Sequence, residues 1–139
     1  MSRSIRVPGG IFDGRAFGFA QVAIVASPHG RAIHVSGQVA WDADRNIVGA
    51  GDIGRQLEKS IENVATALES ADATLDQVGS LRIYIRQSHM HEGKAISGAL
   101  KAKFGDNLPC STWIGVPGLA REEFLVEVEP SVVFLPPEI

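Results

Sequence analysis

The clearest pattern in the chain is the spacing of apolar residues between positions 53 and 68. Ile53, Leu57, Ile61, Val64 and Leu68 recur at intervals of four, four, three and four. That spacing lays one apolar stripe along a helix of about 3.6 residues per turn. Arg55, Glu58, Glu62 and Glu69 fall on the other side, and Asp52 stands where an N-cap belongs. A second helix is expected from Ser88 or His89, burying Ile96, Ala99, Leu100 and Phe104 and ending at Gly105-Asp106-Asn107. Elsewhere the period is two. Leu81, Ile83 and Ile85 alternate with Arg82, Tyr84 and Arg86, the mark of a strand with two unlike faces. Phe17–Val25 and Arg31–Ser36 read as a hairpin around the turn Ser27-Pro28-His29-Gly30, and Ile47–Val48 is a candidate short third strand. Ser111–Val116 and Phe124–Phe134 supply two more strands, the last stopped by Pro136 and Pro137.

The predicted order is β-β-(β)-α-β-α-β-β. Residues 1–139 form one domain, with residues 1–16 an irregular lead-in punctuated by Pro8, Gly9, Gly10 and Gly14. Each helix joins two strands, so the fold class is α+β: a two-layer arrangement with two helices on one face of a sheet. No helix remains for the other face. If Trp113, Val126 and Val128 lie there, they need cover, and self-association is the expected answer.

Composition narrows the partners. A net charge of −3 gives no broad phosphate-binding surface, so nucleic acid is not an expected partner. No run of about 18 apolar residues is present, so no membrane-spanning helix is expected. The first residues, MSRSIRVPGG, lack the apolar core of a signal peptide. The lone Cys110 cannot form an internal disulfide, which fits a reducing, cytoplasmic setting. Beside a proline it reads as a buried structural cysteine rather than a reactive thiol. His89 and His91 are two apart, not at the i, i+4 spacing of a helical metal pair, and no phosphate-binding or dinucleotide glycine motif occurs. Neither a metal nor an organic cofactor is expected.

Several segments carry a likeness in the right order. They are Ser36-Gly37-Gln38; Gly51-Asp52-Ile53 with Gln56, Asn63 and Leu68; Tyr84; Phe104-Gly105-Asp106-Asn107 before Pro109; and Val126-Glu127-Val128-Glu129. Together, over about Phe17 to Val133, the chain resembles the RidA (YjgF, or L-PSP endoribonuclease-like) family of small imine and enamine deaminases. The resemblance implies a chorismate-mutase-like fold, a homotrimer with a barrel-like interior, and small-molecule clefts between subunits. It also implies that Glu127 positions the water that attacks a C=N carbon. Ser36, Gly37 and Phe19 are implied to shape the pocket, with Phe19 standing where the family has a tyrosine. Ser111 occupies the position of the arginine that clamps the substrate carboxylate, and Trp113 stands two residues on, where many deaminases have a small residue.

The loss of that arginine removes a charge-assisted bidentate contact, so amino-acid-derived imines should bind poorly. A tryptophan wall favours a flatter ligand. Arg82 either restores the charge from the neighbouring strand or is simply solvated. From alternation alone, Glu127 lies on the polar face with Leu125 and Glu129, an ordinary outward-facing strand position. Near an apolar wall, desolvation would raise its pKa and suit it to proton transfer. The expected activity is hydrolysis of an imine or enamine other than the usual amino-acid-derived ones. The alternative is a non-catalytic metabolite-binding trimer. A ribonuclease reading, also associated with the family, gains no support from the acidic balance.

Overall fold

The computed structural model describes residues 1–138. The eight strands are β1 (Ser2–Arg6), β2 (Val22–Ser27), β3 (Gly30–Val35), β4 (Gln38–Val39), β5 (Ser80–Arg86), β6 (Cys110–Val116), β7 (Val126–Pro130) and β8 (Val133–Leu135). The helices are α1 (Ile53–Glu69), between β4 and β5, and α2 (Gly93–Phe104), between β5 and β6. The architecture is α+β, with two helices packed on mixed strands. The ladders divide into two four-stranded sheets, β1-β2-β3-β8 and β4-β7-β5-β6. Every pairing is antiparallel except β5 with β6, the pair joined through α2.

Helix α1 forms where its stripe demands. Ile53, Leu57, Ile61, Val64 and Leu68 are each 1% exposed or less. The Asp52 side chain accepts the Arg55 N–H, capping the first turn. On the strands the same core receives Leu81, Ile83 and Ile85 from β5 and Val126 and Val128 from β7. Val126 and Val128 therefore lie beneath the helices, not on the uncovered side. The opposite face of these strands carries Arg82, Tyr84, Glu127 and Glu129, paired across the ladder as Arg82 with Glu129 and Tyr84 with Glu127. Trp113 is likewise on the helix side, since it pairs with Ile83 and its ring lies beside Gly93 of α2. Because β6 is an edge strand, Trp113 is still 38% exposed.

Other sequence expectations shift for identifiable reasons. Ser2–Arg6, read as lead-in, pairs with β2 along its whole length. Backbone hydrogen bonds alone hold this exposed polar strand, and they leave no apolar pattern to read. The strand expected from Phe17 begins only at Val22; Phe17 ends a 3-10 turn (Arg15–Phe17) and Phe19 sits in the following loop. Ile47 makes a single bridge to Trp41 instead of a strand. Helix α2 starts at Gly93, preceded by a 3-10 turn over Gln87–His89. The long last strand breaks at Ser131-Val132 because β7 and β8 belong to different sheets. Cys110 is exposed and free rather than buried, for the same reason that Trp113 is. No helix of the described residues is long and apolar enough to cross a membrane.

Gln56 ties the helix layer to the strands. From a fully buried position it donates to the Gly49 and Glu123 carbonyls and accepts the Leu125 N–H at 2.9 Å. Each partner would otherwise be a polar group shut away from water. Replacing Gln56 with Leu should destabilise the domain by about 3 kcal/mol, measured by urea unfolding, because it orphans these groups without opening a cavity.

Candidate functional site

The site grows out of the seam between the two sheets. At Ser36-Gly37 the chain leaves β3 and enters β4, passing from one ladder to the other. Two buried amides hold this crossing. Gln38 donates to the Gln21 side chain at 2.7 Å and to the Ser36 carbonyl at 2.9 Å. Gln21 in turn donates to the Phe12 carbonyl at 2.7 Å. The Ser36 hydroxyl donates to the Ala20 carbonyl at 2.7 Å, so it fixes the 19–21 loop instead of reaching outward.

Gly37 is required here for space. A Cβ on it would stand 2.6 Å from Oε2 of Glu127, so the carboxylate occupies the volume a side chain would fill. Gly14 plays the same part for Phe19, whose ring lies 2.3 Å from where a Gly14 Cβ would be. The two glycines let a carboxylate and an aromatic ring fold back against the backbone.

The result is a pocket of about 470 Å³ that includes Phe19, Gly37 and Glu127. Its walls are aromatic. Trp41 meets Phe12 and Phe124 edge-on, at centroid distances of 4.8 and 5.1 Å, and Phe17 packs on Phe12 at 5.7 Å. Four of the six phenylalanines and one of the two tryptophans thus line one cavity. Arg45 and Arg121 complete it.

Glu127 is half-buried and has neither an ion pair nor a hydrogen bond among the described residues. Burial pushes its pKa above the usual carboxylate value, and the negative charge of Glu129 pushes it further. Arg82 does not offset this: its guanidinium is 3.0 Å from Glu129, and it lines a separate shallow recess with His34 and Ser131. The Tyr84 hydroxyl also points to Glu129, at 3.4 Å.

Of the residues singled out from sequence, Glu127, Phe19 and Gly37 share the pocket, with Ser36 at its edge. Ser111 and Trp113 do not. They lie on the helix-covered face of β6, with Trp113 Nε1 donating to the Ser111 hydroxyl at 3.2 Å. The tryptophan beside Glu127's pocket is Trp41. Sequence reasoning missed Trp41, Phe12, Phe17, Phe124 and both arginines. The one available signal was the cluster of Phe12, Phe17 and Phe19 in a glycine-rich stretch. Among the described residues no group of His, Cys, Asp and Glu is placed to hold a metal ion.

The fold is of the class with two helices packed on mixed strands, here with an aromatic-walled pocket beside the half-buried Glu127. The chain belongs to the endoribonuclease L-PSP family, whose model matches residues 16–134; this is the RidA (YjgF) family. It is 28% identical over 100 residues to a RutC family protein of Pyrococcus abyssi, covering 72% of this chain and 76% of that protein. It is 27% identical over 107 residues to the RutC family protein UK114 of Drosophila melanogaster, covering 77% and 73%. Among solved structures, a Rid family protein of unknown function from Yersinia pestis, YyfB, is 30% identical with a TM-score of 0.68, covering 97% of this chain and all of that one. Yeast Mmf1 superposes with a TM-score of 0.79 at 19% identity, covering 99% of this chain and all of Mmf1, a likeness of fold alone.

The raised pKa of Glu127 has a consequence for stability. The folded protein holds this proton more tightly than the unfolded chain does. The favourable contribution of the neutral acid is present below the unfolded carboxylate range and is lost as pH rises through the folded value. Glu127→Gln should therefore be more stable than the parent at neutral pH. The difference should vanish as pH falls below about 4.5, the ordinary value. Chemical denaturation across that range checks it.

Proposed function

We propose that this protein hydrolyses the C=N bond of a small imine, or of the imine tautomer of an enamine, with Glu127 activating the water. The observation that carries the reading is the Glu127 carboxylate: half-buried, folded over Gly37, unpaired, and facing an apolar cavity. A carboxylate with a raised pKa accepts a proton from water and returns it near neutral pH. In the reaction, the water oxygen bonds to the imine carbon and the C=N π electrons go to nitrogen. Glu127 takes the water's proton and then delivers it to the nitrogen. Glu127 then relays the remaining hydroxyl proton to the same nitrogen, so the C–N bond breaks as the C=O bond forms and ammonia leaves. No cofactor enters this scheme.

The substrate is proposed to differ from the usual amino-acid-derived imines. Ser111 carries no charge where the family's deaminases have arginine, and Phe19 has no hydroxyl where they have tyrosine. The same two departures favour a second reading, a non-catalytic metabolite-binding protein using the same pocket.

A homotrimer completes the proposal. Ser111 and Glu127 are on opposite faces of one protomer's sheet, so only a second copy brings a Ser111 to a Glu127. The exposed Leu108 and Trp113, on and beside the open edge strand β6, suit such a contact. The exposed free Cys110 fits a reducing compartment, and the cytoplasm is the proposed location.

The decisive assay measures ammonia release from imines generated in situ, with and without a carboxylate, for the wild type and Glu127→Ala. Release by the wild type, reduced about a hundredfold or more in the variant, is expected. No release from any imine would leave the binding reading. Ser111→Arg should raise activity on amino-acid imines, an outcome that requires the neighbouring copy to present residue 111 to the pocket. Light scattering should give three times the 14.8 kDa chain mass.

A further inference from the structure

The pocket is lined by two arginines, Arg45 and Arg121. Arg45 sits at the tip of the turn between Trp41 and Ile47, in the left-handed region at φ +66°. An arginine rarely adopts that conformation unless its surroundings impose it. Asp42 imposes it: its Oδ1 accepts the Asp44 and Asn46 N–H groups at 2.9 Å each, and its carbonyl accepts the Arg45 N–H at 3.0 Å. The Arg45 guanidinium then lies over the rings of Phe12 and Phe17, at 5.6 and 5.7 Å. No carboxylate among the described residues pairs with it.

Arg121 lies beside Arg45. Its guanidinium lies 5.8 Å from the centre of the Phe124 ring, and Nη1 donates to the Arg45 carbonyl at 3.3 Å. Its backbone is held by Arg86, whose Nη2 donates to the Arg121 carbonyl at 2.9 Å. Glu123 meets Arg121 through Nε only, at 3.4 Å, with both side chains largely open to solvent. The two guanidinium groups are therefore laid on the aromatic walls, and two positive charges are matched by one exposed acid.

Glu127 lines the same pocket and forms an ion pair with neither arginine. Phe12 and Trp41 present half-buried rings to the pocket, packed edge-on at 4.8 Å, and Phe124 is fully buried against Trp41.

We propose that Arg45 and Arg121 are the anion anchor of this pocket, and that its ligand is a flat aromatic monocarboxylate whose ring packs on the Phe12–Trp41 wall. The proposal rests on the reading of the Glu127 pocket as the ligand site and names its ligand class. A small aliphatic imino acid is a poor occupant because it would leave the aromatic rings of the pocket uncovered. A dianion is disfavoured by the Glu127 and Glu129 charges. The anchor that position 111 lacks is thus supplied from two loops of the same protomer.

The test is direct binding of three inert probes: 3-phenylpropionate, its uncharged amide 3-phenylpropionamide, and propionate. Calorimetry at low ionic strength should find 3-phenylpropionate bound at least tenfold more tightly than either of the others. In the double variant Arg45→Met, Arg121→Met, which keeps apolar length and removes charge, the acid should lose at least tenfold. The amide should change by less than threefold. The corresponding double lysine variant should restore most of the preference, which a merely misfolded loop would not permit. Equal binding of acid and amide to the wild type, no binding of either, or an acid preference that survives in the methionine variant would overturn the proposal. The ammonia assay fails independently. A carboxylate preference without hydrolysis leaves the anchor and removes the hydrolase, and hydrolysis without the preference does the reverse.

Discussion

A carboxylate lies against a backbone that has no side chain to exclude it, and the rest of the site is arranged around that contact. Gly37 sits where the chain steps from one sheet to the other, and Glu127 sits on β7, one position along from the Gln38–Val128 pair. The step is expensive in principle, because leaving a ladder frees backbone groups that must find other partners. Gln21, Gln38 and Ser36 supply those partners from side chains. No buried side-chain polar atom among the described residues is left without one. The seam is therefore rigid, and the position of Glu127 is inherited from it.

The electrostatics follow from placement rather than from composition. The chain is mildly acidic overall, yet the pocket that holds Glu127 is lined by two arginines. Arg82 shows how little can be inferred from a charged residue's presence alone. It shares a sheet face with Glu127 but spends its charge on Glu129, its cross-strand partner. Exposed as it is, that pair adds little stability, but it holds the Arg82 cation on Glu129 rather than on Glu127.

The relatives make the same point about fold and site. Structures near 20% identity superpose over almost the whole chain, because what they share is a pattern of buried faces and two helical crossovers. A pocket wall made of Phe12, Phe17, Phe19, Trp41 and Phe124 is no part of that pattern. Chemistry is set by such grafted side chains, not by the scaffold.

Both helices and the alternation of β5 and β7 were legible in the sequence, because each is a local period that buries one side of its own segment. The Asp52 cap and the family likeness were legible for the same reason: they are short-range motifs. Even the grouping of Glu127 with Glu129, apart from Val126 and Val128, was readable, since a strand's alternation fixes which residues share a face. Which face meets the helices is a different question, and only packing answers it: Val126 and Val128 went inside and Trp113 joined them on the covered side. The aromatic pocket, the stance of Arg45 and the edge strand β1 were likewise invisible. They depend on contacts between segments far apart in the chain, on a turn's left-handed residue, and on backbone hydrogen bonds that carry no side-chain signature.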